Sequence, residues 1–360
     1  MRVLVDGFYL EKPRGMGRYA QELLNALRVV ASAGEVAVTV TVPEHMREES
    51  LLFSDVLEYR RGPSLPFPVW EQFYLPWVAR KLRPDLIHFP YNTTPLLGWL
   101  LGLPYVVTVH DLIFKELSGG SVYQRAGNLY RLIASAWNSK RRCKVITLSE
   151  YYVARIQNEM GLAAQRIYTS VDFYRQVPLA TDFASPGGAY FVHVGGISPH
   201  KNSAACIEAF SSLNLPGVKL VVLGIDAAAQ LADRFRSDSV IFPGFVDDAT
   251  MVAYLRNSLA VLFPSLKEGY GMPIVEAFAF GVPVLVSDLP PMNEIAGEGG
   301  LLVDPLDLQS IADGIRALCD DSALRTELAK KGAARYDREM SAQRMGQQVA
   351  QVYRRALGLK

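Results

Sequence analysis

The sequence predicts an α/β protein made of two doubly wound parallel-sheet domains, and three observations carry that reading. The chain has 360 residues, about twice a typical domain, so two separate cores are expected. Short β-branched runs alternate with amphipathic stretches, the pattern of βα units around a parallel sheet. Asp182-Phe183-Ala184-Ser185-Pro186-Gly187-Gly188 breaks the alternation with a cluster of turn formers and reads as the linker.

Composition narrows the function classes. Half the residues are hydrophobic and a fifth charged, an ordinary globular balance, and the net charge of +1 gives no sign of nucleic-acid binding. Residues 1–182 carry 21 Lys+Arg against 17 Asp+Glu and the remainder 16 against 19, or +4 and −3. That asymmetry suits an amino-terminal half that meets an anionic acceptor or a membrane surface. Cys143, Cys206 and Cys319 are few, odd in number and far apart, which argues for a reducing, cytoplasmic setting without disulfides. The opening Met1-Arg2-Val3-Leu4-Val5-Asp6 meets an acid at once and reads as a first strand rather than a signal peptide. Leu86 to Val109 has no Asp, Glu, Lys or Arg, but Pro90, Pro95, Pro104, His88 and Asn92 make it two buried strands with a loop rather than a membrane span.

In chain order, Arg2–Asp6 is the first strand, and Gly15-Met16-Gly17-Arg18-Tyr19 opens a helix with Leu23, Leu24 and Leu27 inward. A Gly-x-Gly here invites a dinucleotide-binding reading, but the third glycine of that fingerprint is missing, which disfavours a dehydrogenase. Val36–Val42 is the second strand. Trp70-Glu71-Gln72-Phe73-Tyr74-Leu75-Pro76-Trp77, followed by Arg80, Lys81 and Arg83, mixes aromatic and basic residues as a lipid-headgroup contact would, and as a core segment interrupted by Pro76 also would. Two strands, 85–90 and 105–111, end in polar residues, so His88 and His110 are both expected at the sheet mouth, where an imidazole can donate a hydrogen bond or move a proton. Lys144–Thr147 is a strand, and Ser149-Glu150 caps the helix after it.

Beyond the linker, Tyr190–Val194 starts a second series, with Gly195-Gly196 at the strand end and Pro199-His200-Lys201-Asn202 leading into a helix. A cation beside helix N–H groups suits a diphosphate, with Lys201 as the charge. Strands follow at Lys219–Leu223, Val240–Phe242, Leu259–Phe263 and Val284–Ser287. Between the last two lies Pro264-Ser265-Leu266-Lys267-Glu268-Gly269-Tyr270-Gly271-Met272-Pro273-Ile274-Val275-Glu276. Pro273 suits the first position of a helix and Gly281 ends it about two turns later. Asp247-Asp248 and Asp320-Asp321 read as helix caps rather than metal ligands, and no Asp-x-Asp occurs. Asp307–Asp320, Ala323–Ala334 and Ser341–Leu357 are closing helices.

Glu268 and Glu276, seven residues apart with Gly-x-Gly-x-Pro between, resemble the donor-binding signature of the retaining glycosyltransferases of family four, whose fold is GT-B. The resemblance covers nearly the whole chain, most strongly residues 190–305. It implies two Rossmann-like domains facing across a cleft, an acceptor-side domain at 1–182, a donor domain at 183–336, and a last helix, 337–360, returning to the first. It places Glu268 beside the donor sugar and Glu276 on the ribose, with Gly196, Gly269, Tyr270, Gly271 and Met272 around the donor. Phe245 and Val246 meet the base, and Gly15 and Gly17 lie against the diphosphate and acceptor. His110 contacts the donor sugar, and Tyr9, Arg18 and Asp111 stand on the acceptor side. His200 occupies a position where the family commonly has arginine, and Thr169-Ser170-Val171-Asp172 keeps only the Val-Asp of a family turn.

The expected reaction is transfer of a hexose, mannose from GDP-mannose first and a UDP-hexose second, to a glycan or lipid-linked glycan hydroxyl in bacterial surface polysaccharide synthesis. His110, Lys201 and Glu268 would be catalytic, no metal or bound cofactor is expected, and the site of action is the cytoplasm or the cytoplasmic face of the inner membrane. A nucleotide-sugar epimerase and a non-catalytic nucleotide-sugar-binding subunit are the rival readings.

Overall fold

The computed structural model describes every residue except 13–14, 97–101, 116–121, 139–142, 179, 181, 182, 184 and 360. Asp182 and Ala184 of the expected linker therefore lie outside the described residues. The chain divides into two compact units, Met1–Ser170 with Ser341–Lys360, and Val171–Met340. The sequence reading put the first junction at 182 and the second at 336. The helix Asp172–Arg175 and the turn after it belong with the second unit: the Tyr336 hydroxyl donates to Asp172 Oδ1 at 2.8 Å and accepts from the Val171 N–H at 3.0 Å.

Among the described residues the first unit holds seven strands: β1 (Arg2–Asp6), β2 (Ala37–Pro43), β3 (Glu58–Gly62), β4 (Leu86–Phe89), β5 (Tyr105–Thr108), β6 (Cys143–Thr147) and β7 (Ala164–Arg166). They pair in the order β3-β2-β1-β4-β5-β6-β7, parallel throughout. β4 and β5 are buried along their whole length, as strands covered on both faces must be. Leu4, Trp70, Leu75, Ile87, Val107, Val145, Tyr152 and Ile156 form one core. The last helix, Ala342–Ala356, lies against Met16–Ser32, close enough that a Cβ on Gly346 would stand 2.3 Å from the Ala26 carbonyl.

Helical backbone runs from 67 to 82, with a π-type stretch at Trp70–Tyr74 between α-helical turns. Pro76 was expected to interrupt this segment. It does not, because the ladder has already shifted: Leu75 N–H bonds back five residues to Trp70, and Pro76 sits in the first turn of Leu75–Leu82, where a missing N–H costs little.

In the second unit β8 (Ala189–Val194), β9 (Val218–Leu223), β10 (Val240–Gly244), β11 (Val261–Phe263), β12 (Val284–Ser287) and β13 (Gly300–Val303) pair in the order β10-β9-β8-β11-β12-β13, again all parallel. Phe191, Leu220, Leu262, Leu285, Ile311 and Ile315 fill its core. Asp247 and Asp321 cap helices, accepting from Thr250 and Leu324 N–H at 2.8 Å each. Among the described residues no helix is long and apolar enough to cross a membrane.

Candidate functional site

In each sheet the strand order reverses once, between β1 and β4 in the first unit and between β8 and β11 in the second. Crevices open at such switch points, beyond the carboxyl ends of the strands. In the second unit the two chain segments leaving that point are Gly195-Gly196 after β8 and Pro264–Glu268 after β11.

Three side chains stitch these segments together. His193, inside β8, donates from Nδ1 to the Leu262 carbonyl (2.8 Å), which leaves Nε2 to accept from Ser203 Oγ at 2.9 Å. Burial pushes the His193 pKa down to about 4, so the ring is neutral, as that pairing requires. Ser203 Oγ also accepts from Gly196 N–H at 3.2 Å and lies 3.0 Å from the Gly196 carbonyl. A Cβ on Gly195 would stand 2.8 Å from both the His193 ring and Ser203 Oγ, so only glycine fits. Asn202, left-handed at φ 56°, sends its amide to the Pro264 and Pro305 carbonyls at 3.0 and 2.8 Å. The His200 carbonyl accepts from Leu266 N–H at 2.7 Å.

On this frame Lys201 and Glu268 meet: Nζ donates to Oε1 at 2.8 Å, both half-sheltered, with the ammonium 5.7 Å from the Phe263 ring centre. The sequence assigned them to different parts of a donor. The structure brings them into one ion pair, an ammonium able to meet an anion beside a carboxylate able to accept from hydroxyls. Gly271 at φ 111° precedes the helix Met272–Ala279, with Pro273 in its first turn and Gly281 at φ 67° after its end. Glu276 is buried on that helix, as is Tyr270 on the loop before it. Gly269 and Met272 flank the same turn. Gly196 and His200 share with Lys201 the segment between β8 and the helix Ser203–Ser212. Phe245, 72% exposed, and Val246 follow Gly244 at the end of β10, two strands from the ion pair.

At the first unit's switch point the loop after β1 is tightly folded. A Cβ on Gly17 would lie 2.0 Å from the Lys12 carbonyl and 2.6 Å from that of Tyr9, whereas Gly15, at φ 58°, has open space around it. Tyr9 rests against Phe67 and Tyr91, its N–H donating to the Tyr91 hydroxyl at 3.2 Å. Arg18 is buried. His110 is positioned by two strand ends: Nε2 donates to the Pro90 carbonyl at 2.7 Å and its backbone N–H to Asn92 Oδ1 at 2.7 Å, with the Tyr19 ring edge-on at 4.6 Å. Its pKa is lowered, chiefly by burial, against the Pro90 carbonyl and Asp111, which raise it. A neutral ring donating from Nε2 keeps Nδ1 as an acceptor. Asp111 accepts from Ile113 N–H at 2.9 Å and so shapes its own loop.

His88 corrects the sequence reading. It does not stand at the mouth but deep in the sheet, Nδ1 at 2.7 Å from the Tyr353 hydroxyl and Nε2 at 2.9 Å from Thr108 Oγ1, which continues to the Tyr19 hydroxyl at 3.0 Å. Burial first, and His110 second, take its pKa down to about 3, so it is a neutral structural link.

The sequence reasoning also passed over two buried acids. Asp6 at the end of β1 accepts from Trp70 Nε1 (3.0 Å) and Phe8 N–H (3.1 Å), and Glu71 accepts from Thr93 Oγ1 (2.6 Å), Gln72 Nε2 (3.2 Å) and the Tyr130 hydroxyl. Desolvation raises Asp6 to about 8, with the nearby Glu71 charge adding to it, and raises Glu71 to about 7. The strand-terminal position of Asp6 was the available signal.

Two doubly wound parallel-sheet units, one carrying a paired lysine and glutamate at its switch point, define a GT-B glycosyltransferase. Residues 13–173 match the family described as Glycosyltransferase Family 4 and residues 182–335 that described as Glycosyl transferases group 1. The chain belongs to glycosyltransferase family four and is a glycosyltransferase. Relatives include O-antigen chain mannosyltransferase B of Escherichia coli, 25% identical over 356 residues (89% of this chain, 91% of that one), and O-antigen chain mannosyltransferase RfbU of Salmonella typhimurium, 26% over 365 residues (94% and 96%). Similar folds are seen in sucrose-phosphate synthase from Thermosynechococcus elongatus (TM-score 0.74, 19% identity, 99% of both chains) and Anabaena HepE in complex with UDP-glucose (0.73, 18%, 98% of this chain and 99% of that one).

Proposed function

We propose that the chain moves mannose from GDP-mannose, with retention of anomeric configuration, to a hydroxyl of a lipid-linked glycan during assembly of a bacterial surface polysaccharide. The Lys201–Glu268 pair carries this reading. A diphosphate arriving beside the helix that follows Lys201 competes for the ammonium, which frees the carboxylate to accept from sugar hydroxyls. As the bond between the anomeric carbon and the diphosphate oxygen breaks, the growing charge falls on Lys201 and backbone N–H groups already in place. Glu276 takes the ribose hydroxyls, and the backbone at Phe245-Val246 takes the base. His110 offers Nδ1 to a sugar hydroxyl, and Tyr9, Arg18 and Asp111 shape the acceptor side. No metal is assigned a role. Mannose rests on the two O-antigen mannosyltransferases among the relatives. The UDP-glucose complex of HepE favours a UDP-hexose as the second reading.

The test is turnover of a panel of nucleotide sugars by wild type, Lys201→Ala and Glu268→Gln. GDP-mannose is expected to be consumed fastest, and each variant to lose about 100- to 1000-fold in kcat. Thermal stability should barely move, because a partly exposed ion pair is worth about 1 kcal/mol or less. Consumption of UDP-sugars alone replaces the donor. Loss of affinity with kcat unchanged removes Lys201 from the chemical step.

A further inference from the structure

The aromatic and basic stretch after residue 66 shows two faces in the structure. Trp70 and Glu71 are buried, while Val69, Phe73 and Trp77, four residues apart and hence on one side of the helical run 67–82, are 39, 71 and 57% exposed. The helix Val122–Asn138 has a second exposed apolar pair at the same spacing, Leu129 at 58% and Ile133 at 47%, with Leu132 beside them at 38%. The two elements are fastened together: Gln72 Nε2 donates to the Tyr130 hydroxyl at 2.7 Å, and that hydroxyl donates to Glu71. Glu71 thus spends its carboxylate inward, holding the neighbouring helix. Large aromatic and branched side chains exposed in one neighbourhood, on a unit that has its own filled core, mark a contact surface.

Charge decides what that surface meets. From residue 63 to 83 the bases are Arg80, Lys81 and Arg83, and the single acid is the buried Glu71. The helix Val122–Asn138 that carries the second apolar group has two bases, Arg125 and Arg131, and no acid. Lys81 keeps its ammonium 5.4 Å from the Trp77 ring centre, so a cation and an interfacial aromatic are presented together. A protein partner would have to match exposed tryptophan and phenylalanine with a dense acidic rim. A bilayer of anionic lipid supplies both properties, an apolar layer a few ångströms below a negative surface.

We propose that Val69, Phe73 and Trp77 together with Leu129, Leu132 and Ile133 form a docking surface for anionic lipid, into which these side chains insert while the flanking lysines and arginines bind headgroup phosphates. The surface keeps the enzyme beside a lipid-borne acceptor, and only this purpose rests on the reaction proposed above. Docking itself needs neither donor nor acceptor.

The experiment is co-flotation of the full chain with vesicles of pure phosphatidylcholine and of phosphatidylcholine containing a third phosphatidylglycerol, without any nucleotide sugar. Wild type is expected to float with the anionic vesicles, and to be released by about 0.5 M salt to the extent that headgroup charge holds it. Phe73→Ser/Trp77→Ser and Leu129→Ser/Ile133→Ser should each bind about tenfold more weakly or worse, and Arg80→Gln/Lys81→Gln should lose several-fold. All three keep the buried anchors, and turnover of free nucleotide sugar, measured in parallel, should stay at the wild-type level. Equal binding to both kinds of vesicle, no binding, or unchanged binding by the apolar variants overturns the proposal. So does sedimentation showing that wild type is a dimer which the same variants turn into a monomer, for the face then belongs to a second copy. None of these results touches the transfer reaction, whose own failure would appear as absent turnover in a protein that still floats.

Discussion

Asp6 and Glu71 show how a single side chain can set a property of the whole protein. Both Asp6 Oδ1 donors are accounted for, by Trp70 and Phe8, while Oδ2 is buried with no hydrogen-bond partner among the described residues. The proton of a neutral Asp6 therefore belongs on Oδ2. With folded-state values raised to about 8 and about 7, these groups keep protons that the unfolded chain releases near pH 4. Their stabilising effect is complete below pH 4 and is lost as pH climbs to 8, by at most about 1.4 kcal/mol per pH unit for each retained proton. Denaturation midpoints taken from pH 5 to 8 should fall for wild type and flatten in Asp6→Asn and Glu71→Gln; equal slopes in all three proteins would show that the acids are already ionised. The sequence disclosed such residues unevenly. The placement of Glu268, Gly271 and Glu276 on one loop-to-helix turn was legible because that turn fixes their spacing. His193, Ser203 and Asn202 were not, since their roles arise where chain segments up to 103 residues apart converge. His88 was misread for the same reason: its partner Tyr353 lies 265 residues away.

Among the elements, the central strands were readable because burial on both faces demands unbroken apolar runs, which Val-rich β5 and β12 display. β3, β7 and β13 were missed, and all three are edges of their sheets. Glu58-Tyr59-Arg60-Arg61-Gly62 and Ala164-Gln165-Arg166 carry the polar side chains an edge requires, while β13, Gly300-Leu301-Leu302-Val303, is a four-residue run that opens on glycine. The π-type turn before Pro76 was equally hidden, because a five-residue ladder shift leaves no compositional mark. The loop between β1 and Met16–Ser32 gives a sharper test of how an element is made. Gly15, just before that helix, and Gly17, in its first turn, are needed for different reasons, Gly17 for space and Gly15 for its positive φ. Gly15→Ala should cost about 1 kcal/mol in backbone strain. Gly17→Ala drives a methyl into two carbonyls, so the turn must open, and the loss should reach about 2–3 kcal/mol by chemical denaturation. Gly17→Ala should also lower transferase activity more than Gly15→Ala does. If the two cost the same, the 9–17 turn is looser than the structure has it.

At the scale of the molecule, two units with separate cores share one chain that leaves the first, completes the second and then comes back. The returning helix is integral to the first unit. Arg354 pairs with Glu35 at 2.7 Å, Arg355 with Gln165 at 3.0 Å, and Tyr353 closes the line of hydrogen bonds through His88 and Thr108 to Tyr19. Deleting residues 341–360 would strip a face of Met16–Ser32 and leave a buried imidazole nitrogen without its partner, a defect worth about 1–3 kcal/mol before any apolar loss is counted. Gly346→Val isolates the packing part, because the added side chain collides with the Ala26 carbonyl while the hydrogen bonds of Tyr353 and Arg354 are kept. Calorimetry should then resolve two transitions. Gly346→Val is expected to lower the one belonging to Met1–Ser170 with the last helix, while a saturating nucleotide sugar, GDP-mannose on the reading proposed above, should raise the one belonging to Val171–Met340. A single transition that moves with both perturbations would mean that the two cores unfold together, and that the helix is structural for the whole chain rather than for the unit it rejoins.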